Sequence, residues 1–65
     1  MDYNEWAREY LENAKSVQNT IDRLKRQKDS RTYTDKVEVE DKIRRYRDIR
    51  YEFLRIADLL MRRAG

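Results

Sequence analysis

Residues 29–35 read DSRTYTD, the only cluster of small, polar, turn-favouring residues in the chain, and long stretches of helical periodicity lie on either side. Working back from it, Tyr3, Ala7, Tyr10, Ala14, Val17, Ile21 and Leu24 are spaced alternately by four and three, a heptad seam. Trp6 and Leu11 widen that seam. Working forward, Val39, Ile43, Tyr46, Arg50, Phe53, Ala57, Leu60 and Ala64 repeat the spacing. Ile49, Leu54 and Ile56 broaden the second stripe towards half of the helix circumference at about 100° per residue. The chain has no proline, and its single glycine is the last residue, so neither helix is interrupted. The expected fold is an all-α hairpin in one domain, residues 1–65, with helices over about 2–28 and 35–63 and a turn over about 29–34.

The helix boundaries carry their own chemistry. Asp2 is placed to cap the first helix, with Glu5 three residues on to complete a capping box. Thr34 or Asp35 is the expected cap of the second, and from Asp35 the box position falls on Glu38. The first helix begins with Asp2, Glu5, Glu9 and Glu12 and ends with Lys25, Arg26, Lys28 and Arg31. The second begins with Asp35, Glu38, Glu40 and Asp41 and closes with Arg55, Arg62 and Arg63. Both gradients suit the helix dipole. Only an antiparallel arrangement sets each acidic start beside a basic end. The short basic run KRQKDSR, residues 25–31, is accounted for by the same dipole compensation.

Two helices in contact along one line cannot cover stripes of this width, and a lone core of about 65 residues is marginal. A homodimer that completes an antiparallel four-helix bundle would bury the rest. The other outcome is a lone hairpin whose uncovered stripe meets a different protein.

Charged residues make up 45% of the chain, yet regularly spaced apolar positions, five Tyr, one Trp and one Phe distinguish it from a disordered polyelectrolyte. A net charge of +3 argues only weakly for a polyanionic partner. The acidic start MDYNEWAREY is unlike a signal peptide. No apolar run approaches the roughly 18 residues a membrane span needs, so a cytoplasmic protein with no membrane contact is expected.

Catalysis lacks its usual agents. Without His or Cys, acid–base work near neutrality and thiol chemistry lose their carriers, and one terminal Gly makes no phosphate loop. Glu38, Glu40 and Asp41 could touch a hard cation, but no calcium-loop spacing is present and an acidic helix start accounts for them. No enzyme, cofactor or metal centre is expected.

Two sets of residues could meet a partner. Trp6 and Tyr10, with Tyr3, gather aromatics at one end, and Trp, Tyr and Arg dominate interface hot spots. Arg50 occupies a seam position opposite Ala14 and Tyr10, where Glu9 or Glu12 could pair with it and the charge would fix register. The second set lies around RRYRDIRYEF, residues 44–53, with four arginines and two tyrosines. Arg44, Tyr51, Arg55 and Arg62 line one outer stripe, with Arg47 at its edge, while Tyr46 and Phe53 point into the seam. Carboxylates flank the stripe in the pairs Asp41–Arg45, Arg44–Asp48, Glu52–Arg55 and Asp58–Arg62. Such pairing favours a solvated bundle face over a phosphate-binding surface, which leaves its cations unpaired.

AREYLENAKSVQNTIDRLKRQKDS, residues 7–30, followed by a second charged helix, resembles the N-terminal helical hairpin of small regulators from phages and mobile elements of Firmicutes. The likeness rests on the phrases EYL and IDRL and covers about a third of the chain. Those regulators continue into a helix-turn-helix similar to region 4 of sigma-70 factors, which does not follow here. The resemblance therefore implies a phage or mobile-element origin rather than DNA recognition. Together these readings point to a small protein-interaction module, a regulatory subunit or inhibitor of a bacterial protein machine. The alternative is a nucleic-acid-binding accessory protein that uses Arg44, Arg47, Tyr51, Arg55 and Arg62.

Overall fold

The structure, a computed structural model, describes residues 2–28 and 33–65. It holds two α-helices, α1 (Tyr3–Lys28) and α2 (Tyr33–Ala64), packed against each other as a hairpin. Its dimensions are 48 × 14 × 13 Å. At 1.5 Å per residue the 32 residues of α2 account for that length.

Asp2 caps α1. Its Oδ1 accepts from the backbone N–H groups of Asn4 at 3.0 Å and Glu5 at 3.2 Å, while its carbonyl accepts the first helical bond, from Trp6 N at 3.1 Å. Two orphan donors of the first turn are thereby satisfied by one carboxylate. The return bond from the Glu5 side chain is not formed, so Asp2 acts alone.

The start of α2 differs from expectation. The helix begins at Tyr33, so Thr34 and Asp35 lie inside its first turn rather than at its N-cap position. Adding residues to a nucleated helix costs little, and neither proline nor glycine stops the extension. Asp35 in the first turn remains well placed for the dipole. The rest of the expected turn, residues 29–32, lies outside the described residues.

Packing is antiparallel and follows the seams. Among the described residues the seven buried apolar ones, Ala7, Ala14, Ile21, Val39, Ile43, Ala57 and Leu60, are all seam positions. Six of them gather in two clusters, and Ala14 lies between the two. At the open end Ala7, Ala57 and Leu60 pack with Tyr3, Tyr10 and Ile56. Towards the end of α1 and the start of α2, Ile21, Val39 and Ile43 pack with Val17, Leu24 and Tyr46. Alanines in both helices at the open end let the backbones approach, and the rings of Tyr10 and Phe53, 5.9 Å apart, close the flank. Ala64, the last seam residue, is exposed, because in this register α2 runs past the first residue of α1.

Candidate functional site

The three residues singled out as partner anchors do not form one patch. Tyr10 is spent inside the hairpin on Phe53. Trp6 is 39% exposed, with its ring stacked on Tyr3 at 6.4 Å. It lines a shallow hollow with Asp2, Glu5 and Glu9, so the exposed indole sits among three carboxylates.

Arg50 lies where the register places it, in a hollow with Ala14, and Leu11, Lys15, Gln18 and Leu54 complete the walls. No carboxylate pairs with it among the described residues. Glu9 and Glu12 fall on other faces of α1, turned from the Leu11–Gln18 edge by the helical rotation of about 100° per residue. No buried side-chain nitrogen or oxygen lacks a partner among the described residues, so the guanidinium reaches water while the stem is half-buried. Arg50 is therefore a snorkelling cation and not half of an ion pair.

The arginine stripe of α2 is less neutralised than expected. Asp41–Arg45 and Asp58–Arg62 form, each at 3.0 Å. Arg44–Asp48 and Glu52–Arg55 do not. Helical side chains lean towards the N-terminus, so an arginine reaches back to a carboxylate four residues earlier more readily than forward. Both pairs that form have that order and spacing. Arg44 would have had to reach forward, and Glu52 and Arg55 are only three apart. Along the stripe, Arg62 is thus paired, Arg44, Arg47 and Arg55 carry no salt bridge among the described residues, and Tyr51 is 59% exposed.

Arg44 and Arg47 are instead brought beside cations of the other helix. Lys25 and Lys28 of α1, with Glu40, Ile43, Arg44 and Arg47 of α2, line a hollow of about 450 Å³. Lys28 Nζ meets Glu40 Oε1 at 2.5 Å, the ion pair that ties the end of α1 to α2. The hydrogen bond and charge of Lys28, seconded by the charge of Arg44, hold the Glu40 carboxyl below the ordinary carboxylate range. Glu40 is thus joined to Lys28 and Asp41 to Arg45. Lys25, Lys28, Glu40 and Ile43 were not legible as a site, because dipole compensation already explains the basic end of α1. The available signal was the i, i+3 spacing of both Lys25–Lys28 and Arg44–Arg47, which the hairpin brings to the walls of one hollow.

Among the described residues no cluster of carboxylates is arranged to hold a metal ion, and no helix is long and apolar enough to cross a membrane. No family model matches the chain, and neither a curated protein nor a solved structure is significantly similar to it.

Proposed function

We propose that the protein is a non-enzymatic interaction module that self-associates, two hairpins completing a four-helix bundle, and binds a bacterial protein machine as a regulatory subunit or inhibitor. The observation that carries this reading is the apolar surface one hairpin leaves uncovered. Trp6, Leu11, Val37, Ile49, Tyr51, Leu59 and Met61 are all exposed. The accessible surface is 5341 Å², whereas a compact monomer of 8.1 kDa would show about 4,500 Å². An origin in phage or mobile-element DNA is proposed on the resemblance of the EYL and IDRL phrases alone.

Sedimentation equilibrium at micromolar concentration tests the self-association, with twice 8.1 kDa as the expected mass. A monomer mass with full helicity would refute it and leave the apolar surface to a foreign protein. Affinity capture from bacterial cells tests the second half. The expected result is a stoichiometric protein partner retained after nuclease treatment, and a partner released by nuclease would count against the reading.

A further inference from the structure

We propose that the hollow between the end of α1 and the first half of α2 is a binding site for a phosphate ester, with Lys25, Lys28, Arg44 and Arg47 as the anion-binding groups. The inference goes beyond the interaction module and does not rest on it. Two cations come from each helix, and within each pair the residues are three apart, on one helical face. The antiparallel register brings the two faces together around Ile43, a buried apolar residue that also lines the hollow.

Charge sets this place apart from the rest of the surface. Of the 16 basic and 13 acidic residues, four and one line the hollow, so twelve of each remain elsewhere and cancel. The whole formal net charge of +3 is thus concentrated here. Among the described residues Lys28 is the only one of the four that has a salt bridge, and its partner Glu40 is the sole carboxylate that lines the hollow. Lys25, Arg44 and Arg47 hold no carboxylate among the described residues. Mutual repulsion of grouped cations is relieved by an anion placed between them.

The chemistry of the groups selects the anion. Arg44 and Arg47 offer planar forks that match phosphate oxygens two at a time, and the lysines add point charges. A phosphate monoester, with about two negative charges near neutral pH, answers the local excess better than a single carboxylate. The volume of about 450 Å³ admits a phosphate with a sugar or base attached, for which Ile43 supplies an apolar contact. Such a phosphate belongs to a free nucleotide or to a nucleic-acid backbone. Glu40 opposes the anion: it occupies Lys28 and adds a negative charge beside the ligand.

Fluorescence anisotropy of a labelled single-stranded oligonucleotide of about 12 residues, at about 50 mM salt, tests the site. Three phosphate contacts predict a log–log salt slope of about −2 for a single strand. The double variant Lys25→Gln, Arg47→Gln should lose about tenfold or more in affinity. The double variant Arg55→Gln, Arg62→Gln removes the same charge outside the hollow and should stay within about twofold. Glu40→Gln should bind several-fold more tightly, a gain that misfolding cannot produce. Equal losses in the two double variants, weaker binding by Glu40→Gln, or no binding by the parent at about 50 mM salt would each overturn the proposal. Adenosine monophosphate as competitor separates the sources: full displacement identifies a free nucleotide as sufficient ligand, and retention identifies the backbone. A glutamate-rich peptide that binds as tightly as the oligonucleotide would show that acidic protein, not phosphate, is recognised.

Discussion

Ala14 and Arg50 share one hollow midway along the hairpin, and the core is divided there. One apolar cluster lies to each side, centred on Ala57 and on Ile21. The small side chain of Ala14 makes room for the arginine stem, and the charge escapes to solvent. An aliphatic residue at position 50 would join the clusters and remove a cation that no carboxylate balances. Arg50→Leu is therefore expected to raise stability by about 1 kcal/mol, and with it the melting temperature by about 4–8 °C. Arg50→Ala, which keeps neither stem nor charge, should lower it. Thermal unfolding followed by circular dichroism distinguishes them, and equal melting of both variants and the parent would show that the stem contributes nothing.

The cap at Asp2 holds two backbone N–H groups with a single oxygen. Asp2→Ala should cost about 1 kcal/mol, and Asp2→Asn much less, because asparagine also accepts from the first turn. Urea unfolding of the three proteins measures both differences.

Ala57 is wholly buried and packs in one cluster with Ala7 and Leu60 at the open end. Extra methylene groups there must push the helices apart. Ala57→Leu is expected to destabilise the hairpin by about 1–3 kcal/mol, whereas Ala64→Leu, at an exposed seam position, should change stability little. Should Ala57→Leu melt at or above the parent temperature, the close approach of the helices is not real.

The Glu40 carboxyl titrates below its ordinary value because Lys28 bonds to its charged form. A depressed folded-state pKa stabilises the fold above the unfolded value of about 4.3, and that contribution is lost as pH falls through the lower folded value. Carboxyl-carbon chemical shifts should place the Glu40 midpoint below the unfolded value, and Lys28→Gln should move it back up. A Glu40 midpoint unchanged by Lys28→Gln would mean that the pair does not persist in solution.

Much of this arrangement was legible in residue spacing. Counting by fours and threes identifies both seams, and the dipole-matched charge order implies the antiparallel direction that Lys28 and Glu40 confirm. The same register sets Arg50 opposite Ala14. Spacing alone does not tell which ion pairs form, since Arg44–Asp48 and Asp41–Arg45 are both four apart and only the order of charge separates them. Tyr33 and Thr34 read as turn residues by type, but helix extension outweighs that preference. The basic hollow was hidden for another reason: its cations come from segments well separated along the chain, and each has a sufficient local explanation.

A rod 48 Å long whose excess charge sits in one half, with Asp2, Glu5 and Glu9 grouped at the opposite end, does not diffuse as a neutral cylinder would. Within about 10 Å of a polyanionic surface at moderate salt, the field exerts a torque before any contact is made. Such a field would turn the end of α1 and the first half of α2 towards the surface. Trp6 and its carboxylates then face outwards, so that a surface caught by one end of the molecule would leave the other presented to a second partner.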